Sequence, residues 1–103
     1  MKRDVDGSVA EWSLAEVRRI ARRTLAQQPA EIYLFGSWAR GEATRTSDID
    51  LAILPTGPID PGVIAELRWE LEESTIPYRV DVVNLDEVEP TFRQRVLKEG
   101  IRW

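Results

Sequence analysis

The chain has 103 residues, 43% of them hydrophobic, with 14 basic against 18 acidic side chains and a net charge of −4. That is apolar content for a single domain spanning residues 1–103 and burying roughly two thirds of its unfolded surface, and the acidic balance argues against tight non-specific binding of RNA or DNA. Histidine and cysteine are both absent, which excludes imidazole acid/base chemistry, thiol nucleophiles, disulfides and zinc sites of the usual kind.

Met1, Lys2 and Arg3 are followed by Asp4 and Asp6 rather than by an apolar stretch, and no segment approaches the ~20 apolar residues that span a bilayer, so a soluble cytoplasmic protein is expected. Ser13 with Glu16 has the capping-box pattern, and Leu14, Val17, Ala21 and Leu25 then share one face of a helix that should stop before Pro29. Arg18 with Arg22, and Arg19 with Arg23, are spaced i, i+4. Such a cluster is either a solvated helix face or a docking surface for an acidic partner, or for RNA held by that partner.

Glu31–Phe35 is an apolar run of strand length, ended by Gly36-Ser37. Arg40 should then lie in the first turn of a short helix, where it could reach a phosphate or pair with Glu42; Trp38 could stack on a base or fill an apolar gap. Asp48–Leu54 reads as a second strand, with Ser47 just ahead of it, and the loop PTGPIDPG follows. Asp60 and Pro61 open a helix to about Glu73 with Val63, Ile64, Leu67 and Leu71 inward. A third strand runs through Tyr78–Asn84, and Pro90 opens a last helix carrying Phe92, Val96 and Leu97 and ending at Gly100.

This order predicts an α+β fold: a small mixed β-sheet with helices packed on one face. Ile49, Leu51, Ile53, Val80 and Val82 should form the helix-covered core, leaving the other face open. Trp12, Trp69 and Trp103 have no partner in this scheme, and at least one is a candidate interface residue.

The chemistry concentrates in Gly36–Asp50, GSWARGEATRTSDID. A Gly-Ser turn closing a strand can offer free N–H groups and a hydroxyl to a phosphate. Side chains alternate along a strand, so Asp48 and Asp50 share one face while Ile49, Leu51 and Ile53 share the other. In the third strand Val80 and Val82 face one way and Asp81 the other; valines turned to the same core bring Asp81 onto the carboxylate face. An ion pair with Arg79 or Arg45 is the alternative for Asp81. Three clustered carboxylates suit Mg²⁺, which takes oxygen ligands and is commonly completed by substrate phosphates.

The succession GSxARG, SDIDLxI and a later strand with a lone aspartate resembles the minimal nucleotidyltransferases of the polymerase-β superfamily, especially the MntA-type antitoxins paired with HEPN toxins. The resemblance covers about Glu31 through Asn84. It implies that Gly36 and Ser37 hold the triphosphate of ATP, that Asp48 and Asp50 bind metal, and that Asp81 acts on the metal or as base. By the same resemblance the reaction is AMP transfer from ATP to a tyrosine hydroxyl of a HEPN-type RNase toxin, in a hetero-oligomer. A larger accessory domain is not visible in the sequence, so recognition would come from the target. Two alternatives stand beside this: an antitoxin acting by contact alone, and nucleotidyl transfer to a small molecule or RNA.

Overall fold

The computed structural model describes residues 7–103; the expectation about the first six residues lies outside them. Seven elements follow one another: α1 (Gly7–Thr24), β1 (Ala30–Phe35), β2 (Ile49–Pro55), α2 (Val63–Glu72), β3 (Val80–Asn84), α3 (Pro90–Glu99) and β4 (Ile101–Arg102). The strands form one mixed sheet in the order β3-β2-β1-β4. β1 runs antiparallel to β2 and to β4, whereas β2 and β3 are parallel, joined by the crossover through α2.

Alternation along the strands separates two cores. Ile32 and Leu34 of β1, Ile49, Leu51 and Ile53 of β2, and Val82 of β3 pack with Val17, Ile20, Ala21 and Leu25 from α1 and its C-terminal turn, and with Val63, Ile64, Leu67 and Leu71 of α2. The inward residues expected of α2 are all buried there. On the opposite face Ala52, Leu85 and Val96 form a smaller cluster, flanked by Tyr33, Phe35, Leu54, Val83 and Phe92. The mixed sheet with α1 and α2 on one face is as expected; α3 adds a helix on the other. Ala52, with no side chain beyond Cβ, leaves room for it.

Four local expectations are corrected. α1 begins at Gly7, so Ser13 lies inside the helix, fully buried, rather than capping its start. A Ser-x-x-Glu spacing arises within a helix as readily as at its end, and here a small residue suits the contact. Residues 37–41 form a hydrogen-bonded turn and not a short helix, because Gly41, at φ +72°, turns the chain away after one cycle. Leu97 is exposed; Val96 and Phe92 carry the apolar face of α3. Finally, β4 extends the sheet past Gly100, where a Cβ would lie 2.6 Å from the Val96 carbonyl oxygen and 3.1 Å from that of Leu34, so only glycine lets the chain turn so tightly against β1.

Of the unassigned tryptophans, Trp12 and Trp69 are 46% and 58% exposed. Trp103 packs against the larger core, and its amide donates to the Ile32 carbonyl. In the arginine cluster, Arg19 pairs with Glu16 at 2.7 Å and Arg23 with Glu70 of α2 at 3.0 Å. The first pair lies within α1 and the second joins α1 to α2; being exposed, both contribute little.

Candidate active site

The chain leaves β1 through Gly36, whose φ of +77° is a conformation other residues adopt only with strain. The Ala39 and Arg40 amides both donate to the Gly36 carbonyl, and Glu42 N–H donates to Ser37 O at 2.8 Å, closing the turn on itself. The amides of Ser37 and Trp38 and the Ser37 hydroxyl bond to no other group among the described residues. Free amides with a hydroxyl beside them at a turn suit an anion. Trp38 is buried: its ring packs edge-on against Tyr78, centroids 4.8 Å apart, and its indole N–H donates to the Ser47 carbonyl at 3.3 Å. It fills a gap and fixes the turn to the loop ahead of β2. Ser47 orders that loop by accepting from the Thr44 amide at 2.9 Å.

Strand register sets the acids. Phe35 lies opposite Asp50, and Asp50 opposite Asp81, so the end of β1, β2 and β3 form one row. Asp48 immediately precedes β2. Because Ile49 and Leu51 are fully buried beneath α1 and α2, Asp50 is forced to the other face. Its carboxylate sits against Gly36 so closely that a Cβ there would collide with it, with Asp50 Cγ only 3.2 Å away. Gly36 thus serves both its own backbone angle and the seating of Asp50.

Burial, then the charges of Asp81 and Asp48, push the Asp50 carboxyl above its ordinary value, with Arg40 pulling it back. Asp81 pairs with Arg79 at 3.3 Å, the alternative named from sequence, while Arg45 takes no part. Arg40 likewise pairs with Glu42, at 2.9 Å, on the surface. Among the described residues no three acids stand close enough to enclose a metal by themselves. The donor chemistry, carboxylate oxygens crowding one another's charge, nevertheless fits a hard divalent cation completed by substrate oxygens.

Two cavities meet at this row. The larger, about 850 Å³, is bounded by Asp50, Asp81, Tyr78, Arg79 and the pair Phe35 and Phe92. The smaller, about 180 Å³, lies between Gly36 and Arg40 on one side and α3 on the other. Phe35 and Phe92 pack edge to face, centroids 5.7 Å apart, and line both cavities as the wall between them. Sequence reading places Phe92 in a core but not at the site. The spacing of Phe92, Arg95, Val96 and Glu99, one helix face, is the signal that could have found it.

Residues 17–102 match the family described as polymerase beta, nucleotidyltransferase. The protein adenylyltransferase MntA of Shewanella oneidensis is 40% identical over 67% of this chain and 49% of its own length. The chain therefore spans about half the length of that relative. Among solved structures, a toxin–antitoxin with AMP-PNP superimposes with a TM-score of 0.69 at 31% identity, covering 86% of this chain and 71% of the other. The MNT antitoxin complex of a tri-AMPylated Shewanella oneidensis HEPN toxin gives 0.64 at 26% identity, over 91% and 71%. With the glycine turn, the paired strands and the row of acids in the same succession, the chain belongs to the polymerase-β nucleotidyltransferase family.

Proposed function

We propose that this protein is a metal-dependent adenylyltransferase that moves AMP from ATP to a hydroxyl, the tyrosine hydroxyl of a HEPN-type RNase toxin, and so acts as that toxin's antitoxin in the cytoplasm. The observation that carries the reading is Asp50, wedged beneath Gly36 and flanked by Asp48 and Asp81. A carboxylate crowded in this way by strand register is one whose charged form a bound cation would favour. The names of relatives, a protein adenylyltransferase and an antitoxin complexed with a tri-AMPylated HEPN toxin, support AMP as the group transferred and a HEPN-type toxin as the partner; the tyrosine acceptor rests on the resemblance.

In this reading Gly36, Ser37 and Arg40 hold the triphosphate, and Asp48, Asp50 and Asp81 are the carboxylates that would hold Mg²⁺. When bound, that ion neutralises phosphate charge and polarises the α-phosphate. The acceptor oxygen attacks the α-phosphorus, the bond to the α,β-bridging oxygen breaks, and that oxygen leaves with the electron pair as pyrophosphate. Asp81 takes the acceptor proton, or passes it to water. Positioning is the main contribution of the chain, since no covalent intermediate is needed.

The test is transfer of label from α-phosphate-labelled ATP with Mg²⁺ in lysate of the source organism, beside an Asp48→Asn, Asp50→Asn double variant. Label on one small protein, lost with the variant, is expected. Label on RNA or a small molecule would keep the chemistry and replace the acceptor.

One observation favours a second reading. Asp81 is engaged by Arg79, and the acids do not enclose a metal unaided. A protein that silences its partner by contact alone would still neutralise it after both aspartates were changed.

A further inference from the structure

The smaller cavity contains a cation that the functional reading leaves without a role. Arg95 of α3 lines it together with Gly36 and Arg40, and among the described residues the Arg95 side chain has no hydrogen bond or ion pair. Its helix is well anchored: Val96 is buried, Phe92 packs on Phe35, and the Gly100 amide donates to the Val96 carbonyl at 2.7 Å. Phe92, Arg95, Val96 and Glu99 fall at i, i+3, i+4 and i+7, so Arg95 is the one cation on the helix face lining the cavity. Across from it stands the turn with the free Ser37 and Trp38 amides. The phenylalanine pair divides this pocket from the space above Asp50 and Asp81.

A small chamber lined by Arg95 and by Arg40, whose guanidinium also holds Glu42, and bordered by the turn that carries the Ser37 and Trp38 amides, matches an anion with several oxygens. We propose that it receives the β- and γ-phosphates of ATP and holds them as leaving pyrophosphate, with Arg95 a phosphate-binding residue contributed by α3. The proposal rests on the adenylyltransferase reading and adds to the phosphate-binding residues of the Gly36 turn a cation from α3 that favours a triphosphate over a monophosphate. Glu99 is the one carboxylate lining the chamber, and its charge opposes the ligand.

Calorimetric titration with ATP, inorganic pyrophosphate and AMP, in Mg²⁺ buffer, tests it on wild type, Arg95→Gln, Arg95→Lys and Glu99→Gln. The expected result is ATP and pyrophosphate binding weakened about 10-fold or more in Arg95→Gln, the range for losing a charge-assisted hydrogen bond. AMP binding should be unchanged, Arg95→Lys should fall between, and Glu99→Gln should bind pyrophosphate more tightly. Because Arg95 is exposed, the variant should fold, and its thermal midpoint checks this. Wild-type binding of ATP that survives unaltered in Arg95→Gln overturns this inference alone. Wild type binding neither ATP nor pyrophosphate overturns the functional reading and this one with it.

Discussion

The two faces of the sheet are built on opposite terms. Beneath α1 and α2 the strands present Ile32, Leu34, Ile49, Leu51, Ile53 and Val82, all buried, in a continuous apolar layer. Toward α3 the same strands present Tyr33, Phe35, Asp50, Ala52 and Asp81, with only Ala52 fully buried. Since neighbours in a strand point opposite ways, Ile49 and Leu51 hold Asp50 where it is as firmly as any bond to the carboxylate could. The apolar face stabilises the fold, and the polar face is placed in unfavourable company by it.

The comparison predicts mutations of opposite sign. Leu67→Ala, in the fully buried middle of α2, should cost about 2–5 kcal/mol and lower the thermal midpoint by ~10 °C or more, with transfer activity retained at temperatures where the variant is folded. A small loss would mean that the apolar face is less close-packed than its burial indicates. Gly36→Ala meets both a left-handed backbone angle and the Asp50 carboxylate, and should cost about 1–2 kcal/mol from the backbone alone while abolishing transfer. Unchanged activity there would detach the turn from the site.

The smallest effect is the most diagnostic. A carboxyl held above its ordinary value of 3.8 binds more protons folded than unfolded between the two values, so stability falls as pH rises through that window and the cost stays constant above it. In metal-free buffer Asp50→Asn should therefore melt above wild type at neutral pH, by roughly 1–3 °C given its partial exposure, and the gap should close as pH falls below the window. A variant less stable than wild type at neutral pH would contradict the crowding.

Much of this was legible in advance because it follows from period. The β-branched and aliphatic runs of β2 and β3 and the stripe Val63, Ile64, Leu67, Leu71 announce their own faces, and the aspartates between them follow by alternation. What escaped depends on contacts distant in sequence. Ser13 has the spacing of a cap but no signal that the helix starts six residues earlier. β4 is two residues long and exists only because Gly100 permits approach to β1. The place of α3 beside the Gly36 turn comes from Phe92 meeting Phe35, a pairing across most of the chain that no local pattern encodes.

One contact bears on how the molecule behaves in a crowded solution. β3 is the outer strand of the sheet on one side, and an outer strand offers its unpaired backbone to any extended chain that drifts past. Arg68 of α2 reaches over that border and donates to the Val82 carbonyl at 2.8 Å. A guanidinium laid on the border occupies an acceptor that an incoming strand would need and sets a positive charge in its path. On the far side Ile101–Arg102 pairs with Tyr33 and Leu34 of β1. The β3 border is thus guarded by a side chain of the helix packed behind it, which discourages the sheet from lengthening on that side.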